Sequence, residues 1–192
     1  MTRGYRMSRN NAGFSLVETI VALGLASLLL AGILTMVSAS WRTEHNALAD
    51  SRLQHETRSV LSVVTNGDPG TTPPVQGLIR AREVVLGSSS LAYRVTWSET
   101  VGGSTVTHDV SYYLSGTALC RVVAEYVVTD PNPAPPLTIV TTGGTSVAAM
   151  ITTFTVTPVT GTSAVSISVT ASDGHGGTMT TFTTCNPRNT GP

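Results

Sequence analysis

The chain has 192 residues with 11 basic and 11 acidic side chains, a size that fits one domain plus an anchor. This balance excludes a strongly basic nucleic-acid surface, so no specific nucleic-acid partner is expected. Charged residues make up only 11% and aromatics 5% of a chain rich in glycine, threonine, serine and valine, which suits an extracytoplasmic β-rich domain better than a cytosolic enzyme.

The first thirteen residues carry Arg3, Arg6 and Arg9, no acid, and end in Gly13. Phe14-Ser15-Leu16-Val17-Glu18 follows, and then an uncharged run of 18 residues from Ile20 to Val37. With Phe14 to Val17 included, the run is long enough to cross a bilayer. The basic leader keeps the N-terminus in the cytoplasm and sends the rest across. No small-x-small cleavage site follows the run, so this is not a secretory signal removed whole. Small residues such as Ala22, Gly24, Ala26, Ala31 and Gly32 recur in it and permit close helix contacts in a membrane. Glu18 is the odd element. An acidic group deep in a membrane helix costs roughly 2.5–3.5 kcal/mol and normally has a partner. A cut after Gly13 would supply one, because the new α-amine of Phe14 is a cation that can neutralise Glu18 of a neighbouring subunit.

The Gly13-Phe14-Ser15-Leu16-Val17-Glu18 string before an apolar run resembles the class III signal of type IV pilins and type II secretion pseudopilins. The resemblance covers about the first 30 residues. It implies cleavage between Gly13 and Phe14 by prepilin peptidase, N-methylation of Phe14 by the same enzyme, and docking of subunits through Glu18. The implied partners are that peptidase, other pilin or pseudopilin subunits, the inner-membrane assembly platform and membrane lipid. The implied place is the cytoplasmic (inner) membrane, with a single pass and an extracytoplasmic C-terminal domain, and then the fibre. A proline common in this helix in the family would fall at Thr35, so its kink is not carried over. The different reading is a membrane-anchored binding module whose signal anchor stays uncut.

Beyond the membrane the helix is expected to continue. No proline or glycine interrupts Trp41 to Val64, and Trp41, Leu48, Leu53, Val60, Leu61 and Val64 form a loose helical stripe. A helix of about 50 residues would reach roughly 75 Å. The stripe alone fits a coiled-coil stalk equally well. Asn66-Gly67-Asp68-Pro69-Gly70 stops the helix. The expected organisation is a leader over 1–13, a transmembrane half-helix over 14–40, an amphipathic half over 41–66 and a β-rich domain over 67–192.

Thr71 to Pro74 reads as a loop, and Val75 to Leu86 fits a short strand or a helical turn. From Leu91 the period becomes two. Leu91, Tyr93, Val95 and Trp97 alternate with polar or small residues, as do Val106, Val110, Tyr112 and Leu114, where His108 interrupts, and then Cys120 to Val128. Gly102-Gly103 and Ser115-Gly116 mark the turns of this antiparallel meander. Asp130 to Pro136 breaks the pattern as a stiff surface loop. A second meander follows through Phe154 and Val156, Val165 to Ala171, and Met179 to Cys185. The fold class is therefore α+β, a long N-terminal helix packed on an antiparallel sheet, pilin-like. Val110 to Leu114 with Leu119-Cys120-Arg121, and Phe154 to Val156 with Val165 to Val169, resemble segments of J-type pseudopilins and W-type minor pilins. Such proteins prime or assemble the fibre. Because Glu18 is present, the resemblance does not point to the terminal tip member, which lacks the carboxylate.

Cys120 and Cys185 lie in the exported part, where a disulfide persists. Both read as pointing towards one core. Pairing would close a loop of 64 intervening residues, for roughly 4 kcal/mol of chain-entropy stabilisation. Two buried free thiols are the alternative. Two cysteines without a CxxC spacing make no zinc site. His108-Asp109 and Asp173-x-His175 carry dyad-like letters, but no nucleophile elbow or His-Glu-x-x-His accompanies them. The scattered carboxylates do not form a calcium loop. No catalytic residue, metal or cofactor is expected.

Overall fold

The computed structural model describes residues 15–71, 74–101, 104–128 and 135–188. Gly13, Phe14 and the rest of the leader lie outside the described residues, as do the Gly102-Gly103 turn, most of the Asp130 to Pro136 loop and the end of the tail. The described chain is one long helix followed by antiparallel sheets, which is the expected α+β, pilin-like architecture. It divides into two compact units, one up to Asn46 and one from Ala47 onward.

Helix α1 runs from Leu16 to Asn66. In the first unit its side chains are exposed. By length and composition it is the one described helix able to cross a membrane. Hydroxyls in its apolar part close onto the helix's own backbone. Ser27 Oγ and Thr35 Oγ1 donate to the carbonyls of Gly24 and Gly32 at 2.8 Å, and Ser38 Oγ donates to Thr35 O at 2.9 Å. Hydroxyls closed onto their own backbone add no stranded polar group to an apolar surface.

In the second unit α1 buries Leu53, Thr57, Val60, Leu61 and Val64, which recur at helical spacing on one face. Trp41 and Leu48, expected in the same stripe, are instead 66% and 63% exposed. The buried stripe starts at Leu53. Gly67 ends the helix with φ +96°, a left-handed conformation that glycine alone adopts cheaply.

The chain then doubles back. Strand β1 (Gly67–Asp68) pairs with β2 (Val75–Gln76), and a short 3₁₀ turn spans Leu78–Arg80. The ambiguous stretch thus holds both a strand and a helical turn. β3 (Glu83–Leu86), β4 (Ser90–Val101), β5 (Ser104–Ser115), β6 (Ala118–Val128) and β7 (Thr145–Ala148) form a five-stranded antiparallel sheet in chain order. β8 (Ile151–Pro158), β9 (Val165–Ser172) and β10 (Thr178–Cys185) form a three-stranded one with β9 in the centre.

One core joins the helix face to both sheets. Leu91, Tyr93, Val110, Tyr112 and Leu119 come from the larger sheet, and Phe154, Val156, Ile167 and Val169 from the smaller. Thr57 reaches Thr181 across the helix–sheet contact, with 2.9 Å between hydroxyl oxygens. The reverse face of the larger sheet is covered by the segment after Pro135. Arg94 Nη2 donates to Pro135 O at 2.6 Å, Val140 N to Ser111 Oγ at 3.2 Å and Gly144 N to Tyr113 Oη at 3.2 Å.

The two cysteines do not share a face. Cys185 belongs to the core cluster. Cys120 is opposite Tyr113 in the β5–β6 register, on the side turned to the covering segment, because alternate residues point to opposite faces. Both are free, buried thiols. Burial pushes the Cys185 thiol above its ordinary value, which lowers the thiolate fraction that reacts. The expected result of alkylating unreduced protein is slow labelling in the folded state and one alkyl group on each cysteine after unfolding. A chain that takes up no label when unfolded without reductant would contradict the free-thiol state.

Candidate functional site

Glu18 opens the first turn of α1. Ser15 stands just before that turn. Its Oγ accepts from Val17 N at 3.3 Å, while Glu18 Oε2 accepts from Ser15 N at 3.4 Å. This is a capping box, in which two otherwise unpaired backbone donors at a helix start are answered by side chains. An anion in the first turn also meets the positive end of the helix dipole. The Glu18 carboxylate is therefore folded back over the helix start, onto the Ser15 amide. Sequence reading assigned Glu18 an intersubunit partner and overlooked this local one, although the Ser15-x-x-Glu18 spacing carried the signal.

From Thr19 to Trp41 no charged residue follows Glu18, so among the described residues the carboxylate is the single ionisable side chain at this end of the exposed apolar stretch. Residues 8–34 match the family model of the prokaryotic N-terminal methylation motif. That match supports the type IV pilin-like family. The methylation motif contains Gly13, Phe14 and Glu18 and ends within α1. It is the signature of a structural pilin- or pseudopilin-type subunit, processed by prepilin peptidase and assembled with others of its kind, and it is consistent with membrane anchoring. The comparison with curated proteins gave no match, nor did that with solved structures.

The other titratable candidates hold the β domain together. His108 and Asp109 are neighbours on β5 and so face opposite sides of the sheet. His108 is buried with Nε2 3.7 Å from Glu125 Oε2. Asp109 receives Arg94 in a two-pronged pair, Nε to Oδ1 at 2.6 Å and Nη2 to Oδ2 at 2.7 Å. Glu83 accepts from Arg94 Nη1 at 3.1 Å, so this guanidinium ties β3, β4, β5 and the covering segment. Asp173 Oδ1 accepts from the backbone of His175 at 2.8 Å and of Gly177 at 2.9 Å, which shapes the β9–β10 turn. Neither dyad-like pair assembles a reactive group. Among the described residues no three His, Cys, Asp or Glu side chains gather as a metal site.

Proposed function

We propose that the chain is a minor pilin or pseudopilin, a subunit that helps prime or assemble a type IV pilus or a type II secretion pseudopilus. The reading includes cleavage between Gly13 and Phe14, methylation of Phe14, and docking of the mature helix through Glu18. The observation that carries it is the methylation motif with Glu18 in the first turn of α1, followed by an exposed helical stretch from Thr19 to Trp41 that carries no charge. The patterns within the β strands resemble those of J-type and W-type minor subunits.

The test separates docking from capping. Glu18→Ala removes both the anion and the cap, whereas Glu18→Gln keeps a capping-box acceptor and removes only the charge. Both variants are expected to be cleaved normally. Each is expected to lower incorporation into fibres by roughly tenfold or more, which corresponds to about 1.4 kcal/mol at the docking step. Full incorporation of Glu18→Gln would reduce Glu18 to a local cap.

A further inference from the structure

Ser38, Trp41, Arg42 and His45 recur at intervals of three, four and seven residues on α1 and so share one helix face. Together with Asn46 they line a shallow groove. Trp41 is 66% exposed, although it carries the largest apolar surface in the first unit. The groove begins at Ser38, one residue after the apolar run ends at Val37. Glu44 is two residues from Arg42, a spacing that turns it away from the guanidinium, and three from Trp41, which puts it at the groove's edge beside the indole. The groove thus combines a planar cation, an indole and imidazole and hydroxyl groups, with no acid among its lining residues.

We propose that this groove holds the phosphate of a phospholipid headgroup in the extracytoplasmic leaflet. The proposal rests on the reading that the apolar part of α1 spans the membrane. Arg42 supplies the positive charge and the forked donors that suit phosphate oxygens. Trp41 takes the interfacial position that amphipathic rings favour, with its body against the upper acyl chains.

The spacing gives this contact a consequence at the other end of the span. Arg42 and Glu18 are 24 positions apart, about 36 Å along a helix rising 1.5 Å per residue. The hydrocarbon layer is about 30 Å thick. With Arg42 at the outer phosphates, Glu18 sits at the inner edge of the hydrocarbon instead of inside it. Anchoring the outer end therefore sets the depth of the carboxylate and keeps it where an amine can reach it.

The test uses the full chain in nanodiscs of phosphatidylglycerol and phosphatidylethanolamine, with native mass spectrometry of the protein released from them. The wild type is expected to retain phospholipid. Arg42→Gln with His45→Gln is expected to retain at least about fivefold less, and Arg42→Lys, which keeps the charge and loses the fork, an amount between the two. Nanodiscs of a phosphate-free galactolipid should yield protein with little lipid attached. Equal retention by wild type and double variant, or equal retention of the galactolipid, overturns the headgroup site. Carbonate extraction of the wild type from vesicles tells the two claims apart. Protein released by carbonate does not span, and the proposal falls with that reading. Protein that resists carbonate but shows equal retention overturns the headgroup site alone.

Discussion

Gly77→Ala is expected to destabilise the β domain by about 3 kcal/mol or more, the upper end of what overpacking costs. A Cβ on Gly77 would land on the backbone of Thr65, Asn66 and Gly67 at the end of α1. These atoms belong to main chain and cannot swing aside as a flexible side chain would. The strand behind Gly77 is fixed as well. Tyr93 Oη donates to Gln76 O at 2.9 Å, and Leu78 is fully buried. Gly116→Ala is the control. Gly116 has φ +60°, but nothing lies within 4 Å of its would-be Cβ, so only the left-handed backbone cost of about 1–2 kcal/mol applies. Thermal unfolding of the two variants in detergent should rank Gly77→Ala well below Gly116→Ala. Equal losses would mean that the close approach of β2 to the helix end is not rigid.

Asp68→Ala is expected to cost about 3 kcal/mol, the lower end for removing one partner of a buried ion pair. Arg121 lies within the domain with its side chain 8% exposed, and its Nη1 is 3.0 Å from Asp68 Oδ2. Asp68 is 29% exposed, so water replaces part of what it gives. Asp68 Oδ1 also accepts from Gly70 N at 3.1 Å, which couples the pair to the turn that ends the helix. Asp68→Asn keeps that turn contact and is expected to lose less. Combining Asp68→Ala with Arg121→Met removes both charges and should recover much of the stability, because the penalty lies in the stranded cation. A double variant no more stable than Asp68→Ala, measured by denaturant unfolding, would show that packing around Arg121 matters and not its charge.

Much of this fold was legible because apolar core residues recur at every second position along β4, β5 and β9. Leu91, Tyr93 and Val95, then Val110 and Tyr112, then Val165, Ile167 and Val169 alternate with polar or small neighbours, and all are core residues. Strand β7 carries no such record. It has four residues, Thr145 to Ala148, with only Ala148 buried, and its strand character comes from pairing with β6. The cysteines show another limit. Alternation placed Cys120 with Val122 and Ala124 on one face but could not say that this face turns away from the core. The helix stripe was overextended for a similar reason, since Trp41 and Leu48 fit the period while the β domain packs only from Leu53 onward. Near the N-terminus the signal was local and chemical. Gly13, Phe14 and Glu18 stood out because a carboxylate before an apolar run needs a reason, and Ser15 supplied a second reason that spacing alone contained.

The most direct measurement is the N-terminal sequence and intact mass of the protein taken from its native membrane. The account predicts a chain that begins at N-methylated Phe14. A chain that begins at Met1, in cells whose prepilin peptidase is demonstrably active, would contradict it and leave an anchored module with an uncut signal.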